Sequence, residues 1–324
     1  MKKALVVGIN NYPSAPLRGC VKDATDFAQL LATNGDHTAN FHVLLKTNVP
    51  SKSNLRELLV ELFAGNNDTA LFYFSGHGSI NESGGYLVTP DHHKYDEGIS
   101  MNDLLTLANN SATKNKIIIL DCCHSGSIAA PALAHGISGH INEGTTILTA
   151  SRQDEVAMEV NGKGVFTNLL LEAMKGGAAD IRGNITPGSI YAYIDQALGA
   201  WDQRPIFKTN VSSFNPLRTV SPALSLATLK KIIHFFPDAD TAFQLDPSYE
   251  YTNDPTVEHT YQAPFAVAEH AATFKELQQM QSAGLVVPVD EAHMYWAAMN
   301  SKSCRLTPLG AHYWRLVKEN KIRH

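Results

Sequence analysis

Cysteine is scarce: the 324 residues contain 4, at Cys20, Cys122, Cys123 and Cys304. So few thiols, two of them adjacent and badly placed to bridge each other, exclude a disulfide framework. They point to a reducing, cytoplasmic setting in which a thiol can serve as a nucleophile. Basic charge is also short. With 26 Lys and Arg against 31 Asp and Glu the formal net charge is -5, which leaves no basic surface to neutralise phosphates and argues against nucleic acid as a partner. Long apolar runs are missing too. The stretch from Ala4 to Ile9, after Lys2 and Lys3, stops at Asn10 and Asn11, short of a signal-peptide core. No later run could span a bilayer, so no membrane partner is expected. Internal repeats and low-complexity tracts are absent.

What is there is ordinary globular composition, 44% hydrophobic and 18% charged, over a length that suggests two domains. Through the first two thirds, short apolar β-rich runs alternate with segments of helical period, the pattern of a parallel sheet covered by helices. Strands are predicted over 3–9, 41–46, 69–75, 116–121, 145–150 and 205–209, and helices over 22–34, 54–63, 101–109, 166–175 and 188–198. Gly35 closes the first helix, Asn54 and Glu57 have capping-box spacing, and Thr186 and Pro187 begin the last. Residues 1–215 therefore read as an α/β sandwich with a mainly parallel central sheet and helices on both faces.

The pattern breaks around Pro216 and Pro222, and 216–264 reads as a linker or irregular subdomain. From 265 to 324 order returns: a helix through about Ser282, Gly284 as its stop, strands over 285–289 and 295–298, and a final helix over 308–318. This small α+β domain resembles a winged helix. Residues 225–324 carry nine Lys and Arg against eleven Asp and Glu, a poor balance for reading DNA. A protein partner, a sister subunit or a small ligand suits it better.

Two strands run into segments that carry chemistry: Ala70 to Phe74 followed by Ser75-Gly76-His77-Gly78, and Lys116 to Leu120 followed by Asp121-Cys122-Cys123-His124-Ser125-Gly126. In an open α/β sheet the carboxyl ends of parallel strands share one edge, so a His and a Cys far apart in sequence can meet there. A thiol of ordinary pKa about 8.5 needs a neighbouring imidazole to become a good nucleophile at neutral pH. Gly78 lets a backbone N–H approach a substrate carbonyl and, with the amide of Cys123, form an oxyanion hole. Gly76 and Gly126 are expected to permit tight turns. Either segment alone reads as a turn with a surface histidine, or as buried core cysteine. Their conjunction at two strand ends turns the balance to function. Spacing leaves open whether Cys122 or Cys123 faces the cleft.

These segments resemble the caspase and metacaspase superfamily of cysteine peptidases, whose pattern is Ser-Gly-His-Gly followed by Asp-x-Cys-His-Ser-Gly. Gly19-Cys20-Val21-Lys22-Asp23-Ala24, Ser151 to Glu159, and Gly164 to Thr167 are similar to further parts of the family, and the likeness covers about residues 1–215. The resemblance implies a caspase-like sandwich with Cys123 as nucleophile, since it immediately precedes His-Ser-Gly, and His77 as base. His124, next to the nucleophile on an extended segment, points the other way. Asp23 and Asp121 match the metacaspase pocket positions and Ser75 adds a hydrogen bond, which implies protein or peptide substrates cleaved after Arg or Lys. Read from position alone, Asp23 is a solvent-facing residue in the first turn of a helix, where its charge suits the dipole.

Calcium dependence, common in the family, has its nearest candidates in Asp91, His92, His93, Asp96 and Glu97. A stretch so rich in His reads as a solvated loop, and no metal or organic cofactor is assigned. His124 to Ser151 contains no Lys or Arg, so an enzyme of this specificity could not cut itself there. Control then falls to the C-terminal domain, through an activating ligand or protein partner. The competing class is a catalytically silent scaffold or sensor in a signalling or defence assembly. By analogy alone, fold plus sensor suits a bacterial stress or defence effector.

Overall fold

The computed structural model describes residues 1–81, 84–94, 96–123, 141–150, 165–198, 205–254 and 262–322. The chain divides into two compact units, Met1–Ser221 and Pro222–His324.

In the first unit β1 (Lys2–Gly8), α1 (Cys20–Ala32), β2 (His42–Thr47), α2 (Lys52–Phe63) and β3 (Thr69–Asn81) open the fold. They are followed by β4 (Gly84–His93), β5 (Asp96–Ser100), α3 (Met101–Asn109), β6 (Asn115–Cys123) and β7 (Thr145–Thr149). Next come α4 (Val165–Glu172), β8 (Asn184–Ile185), α5 (Pro187–Ala197), β9 (Ile206–Asn210) and β10 (Arg218–Thr219). The main sheet has the order β2-β1-β3-β6-β7-β9, with β4 and β5 added beside the far end of β3. Neighbouring strands from β2 through β7 pair in parallel, and β9 closes the edge antiparallel.

The apolar strand cores follow from burial on both faces. Phe72, Phe74, Ile118 and Leu120 belong to a layer with Leu55 and Leu59 of α2 and Leu104 of α3. Leu71, Tyr73, Ile117 and Ile119 alternate to the opposite layer, with Phe27 and Leu31 of α1, Leu170 of α4 and Ile194 of α5. Each fully buried large apolar side chain contributes about 2 kcal/mol, against a backbone entropy cost of about 1–2 kcal/mol per ordered residue.

Cations satisfy carbonyls at the amino edge of the sheet and at helix ends. Lys3 Nζ donates to the carbonyls of Glu61 and Ala64 at the end of α2, both at 2.9 Å, and Lys116 Nζ donates to that of Glu143 at 2.7 Å. Arg218 donates through Nε to Leu30 O (3.1 Å) and Thr33 O (2.9 Å), and through Nη1 to Met174 O (2.8 Å). It thereby ties the end of α1 to the π turn Ala173–Gly177 that follows α4, the end of a helix being where a cation is favoured.

Several local expectations are corrected. β3 does not turn at Gly76. It runs on through His77 and Gly78, because β6 pairs with it as far as Cys123 and β4 takes over from Gly78. The hairpin of β4 and β5 was hidden by its Gly, Asp and His content, which reads as loop. Gly35 is not a helix stop: α1 ends at Ala32, and Gly35 donates its N–H to Thr219 O at 2.7 Å. The cap of α2 is Ser51, whose hydroxyl accepts from Asn54 N. Thr186 and Pro187 do begin α5, with Ser189 completing the box.

In the second unit α6 (Leu226–Lys230), α7 (Ile232–Phe235) and β11 (Phe243–Gln244) precede α8 (Ala268–Ser282), β12 (Val286–Val289), α9 (Met294–Met299), β13 (Ser303–Leu306) and α10 (Pro308–Lys318). β11, β13 and β12 form an antiparallel sheet. The strand expected over 295–298 is the helix α9, with Met294, Ala297 and Ala298 buried on one face. The stretch 216–264 divides between the two units at Ser221.

Candidate active site

The carboxyl ends of β1, β3 and β6 lie side by side, at the point where the strand order reverses around β1 and β3, the place where open α/β sheets build sites. Gly8, Ser75 and Asp121 are Cα partners in one row, and two residues further His77 and Cys123 are partners across β3 and β6. Neighbouring strands sit about 4.8 Å apart, so the register alone brings the backbones of these two residues together. The adjacent Cys122 is buried in the apolar layer with Phe74 and Leu120.

His77 is buried and held from two sides. Its Nε2 lies 2.6 Å from the carbonyl oxygen of Ala15. A carbonyl only accepts, so Nε2 carries the proton, and in the neutral ring Nδ1 is the basic nitrogen. The Tyr12 ring packs against the imidazole at 4.5 Å between centroids. Its hydroxyl accepts from His77 N–H (3.1 Å) and donates to Val88 O (3.2 Å). Gly76 permits this, since a Cβ there would lie 2.6 Å from the Tyr12 hydroxyl. Gly78 stands one residue beyond the last β3–β6 pair and opposite Leu87 of β4.

The acidic residues gather on the α1 face. Asp23 is 3% exposed and Asp121 1%, so Asp23 is not the solvent-facing helix residue that its position alone suggests. Gly8 explains the approach of α1: a Cβ on it would meet Cys20 O at 2.4 Å and Ala24 Cβ at 2.7 Å. The amino end of α1 is tied to the same edge by the Val21 N–H, which donates to Asn10 Oδ1 at 3.1 Å. Ser75 is buried in the row beside Asp121.

Thr167 of α4 donates to Asp121 Oδ2 at 2.6 Å and lies 2.7 Å from the Tyr73 hydroxyl. Burial holds the Tyr73 phenol well above its ordinary pKa, and the negative charges of Asp121 and then Asp23 push it the same way.

The sequence expectations assigned no role to Tyr12, Tyr73, Thr167 or the Ala15 carbonyl. Thr167 stood in a segment similar to the family, but Tyr73 is masked by an apolar run and Tyr12 by a loop. His124, Ser125, Gly126 and Ser151 to Glu159 lie outside the described residues.

Four of the five calcium candidates have other partners. Asp91 accepts from Lys52 N (3.1 Å to Oδ1) and Thr89 Oγ1 (2.7 Å), Asp96 pairs with Lys52 Nζ at 2.7 Å, Glu97 accepts from Asn81 Nδ2 at 3.0 Å, and His92 Nδ1 faces Thr89 O. Among the described residues no three His, Cys, Asp or Glu side chains converge as a metal site requires. Among those residues, too, no helix is long and apolar enough to cross a membrane.

Residues 1–211 match the family model described as the caspase domain. The chain belongs to the caspase domain family. The chain is 29% identical over 164 residues to metacaspase-1 of Meyerozyma guilliermondii, covering 44% of this chain and 39% of that protein. It is 28% identical over 200 residues to metacaspase-1 of Lodderomyces elongisporus, covering 52% and 43%. The chain thus spans about two fifths of the length of the curated relatives it matches. A solved structure of pro-sf-caspase-1 superposes with a TM-score of 0.44 and 15% identity over 68% of this chain and 94% of that one.

Proposed function

We propose that the protein is a cysteine endopeptidase that cleaves after Arg or Lys. The observation that carries this is the pairing of His77 with Cys123 at adjoining strand ends, with the imidazole proton committed to Ala15 O. Family membership and the similarity to metacaspases support it.

In this mechanism Cys123 Sγ gives its proton to Nδ1 of His77 and attacks the scissile carbonyl. The backbone N–H groups of Gly78 and Cys123 receive the developing oxyanion, a contribution of about 3 kcal/mol per donor. His77 then protonates the leaving amine. Water, deprotonated by the same nitrogen, releases the thioester and regenerates the thiol. Asp23 and Asp121, with Ser75 between the strands, provide buried negative charge for the guanidinium or ammonium of the P1 residue. A neutral or acidic P1 would leave that charge uncompensated.

The second unit, with its helices around a three-stranded antiparallel sheet, serves as a winged-helix-like regulator that binds a ligand or partner. Control by this route fits a chain with no Lys or Arg from His124 to Ser151. Unchanged activity after deletion of residues 225–324 would remove this role.

The test of the whole proposal is hydrolysis of matched fluorogenic peptides with Arg, Lys, Asp or Ala at P1, by wild type and Cys123→Ala, with and without calcium and cell extract. Arg or Lys turnover that disappears in the variant is the expected result. Asp-selective turnover would overturn the pocket, and silence under every condition would move the protein to the scaffold class.

A further inference from the structure

Thr167 and Tyr73 form a hydroxyl chain that ends on one of the proposed pocket carboxylates. Thr167 Oγ1 is 2.6 Å from Asp121 Oδ2 and 2.7 Å from the Tyr73 hydroxyl, and all three side chains are buried. A threonine hydroxyl has a single proton, and a carboxylate accepts. Thr167 therefore donates to Asp121, and its oxygen receives the proton of Tyr73. The direction of the chain is fixed: Tyr73 to Thr167 to Asp121. The raised pKa of Tyr73 keeps its proton in place throughout the working pH range. The three groups come from different elements, β3, α4 and β6, so the chain also ties the orientation of Asp121 to the helix on the same face of the sheet.

We infer that Thr167, backed by Tyr73, is a positioning residue for P1 recognition, fixing the Asp121 carboxylate by binding Oδ2 and so setting how it meets a guanidinium or ammonium group. The inference rests on the proposed Arg/Lys specificity. Thr167 takes no part in the proton transfers of the proposed mechanism, so its loss weakens binding of the cationic side chain and spares the chemical step. A hydrogen bond to a charged group is worth a factor of about ten or more.

The test is steady-state kinetics of the full chain on P1 Arg and P1 Lys peptides, with Thr167→Val, Thr167→Ser and Tyr73→Phe beside wild type. Valine keeps the threonine shape and removes the hydroxyl, and melting curves check each variant. KM is expected to rise about tenfold in Thr167→Val with kcat within about twofold, to return toward wild type in Thr167→Ser, and to rise less in Tyr73→Phe. Should Thr167→Val fail to fold, the same KM-against-kcat split is read from Tyr73→Phe, where the ring volume is kept. An unchanged KM in a folded variant, or a fall in kcat alone, overturns the inference while leaving the peptidase assignment standing. Absence of Arg and Lys turnover in wild type itself overturns the pocket assignment, and the positioning role with it.

Discussion

Gly8→Ala tests how the fold delivers Asp23 to the proposed P1 pocket. Gly8 is the last residue of β1, and the added Cβ would sit 2.4 Å from Cys20 O and 2.7 Å from Ala24 Cβ. Ordinary contact is about 3.5 Å, so the first turn of α1 must retreat by about 1 Å. The nearest obstacle is backbone and cannot rotate away. Cys20 and Ala24 bracket Asp23 on that turn, so the carboxylate moves with them. Overpacking of this kind costs about 1–3 kcal/mol, and a misplacement of about 1 Å at a recognition group can lower kcat/KM about 100-fold. Urea unfolding followed by circular dichroism and kcat/KM on a P1 Arg peptide measure the two effects. Wild-type stability with wild-type kcat/KM would show that α1 is not pinned against β1, and would refute the role given to Gly8.

Two further outcomes are expected. Arg218→Met leaves the carbonyls of Leu30, Thr33 and Met174 without their donor, a loss of about 2–4 kcal/mol that a lowered urea midpoint would report. Burial pushes the Cys304 thiol up from 9.0 to about 12. Alkylation of Cys304 at pH 8 should therefore be about a thousandfold slower in the folded chain than in urea. Because the folded pKa is the higher one, the stability Cys304 contributes is complete below about pH 9 and is lost as pH rises from there toward 12. Equal labelling rates in folded and unfolded chain, read by peptide mass spectrometry, would contradict this burial.

The central sheet was legible because its strands are apolar runs buried on both faces, as in Leu5 to Val7 and Ile117 to Leu120. Of the caps expected for its helices, Thr186 with Pro187 stands, while those expected for α1 and α2 do not. β4 and β5 were not legible, since Gly98, Pro90 and His93 carry turn propensity while the strands are held by hairpin pairing to each other and to the end of β3. α9 was mistaken for a strand because Tyr295 and Trp296 favour strands in isolation, whereas packing of Met294, Ala297 and Ala298 decides the helix. Of the residues proposed for the site, His77 and Cys123 were picked out by spacing together with the family resemblance, and Asp23 and Asp121 by the resemblance alone. Tyr12 and Thr167 were not, because their contacts with His77 and Asp121 span 65 and 46 residues and exist only in the folded chain.

The most direct measurement of the central claim is mass spectrometry of the intact chain after treatment with arginyl, lysyl and aspartyl electrophiles of matched reactivity. A single adduct on Cys123 from the arginyl or lysyl probe, absent with the aspartyl probe and lost in His77→Ala, is the predicted result. Preference for the aspartyl probe, labelling that ignores the loss of His77, or an adduct on another cysteine would contradict it.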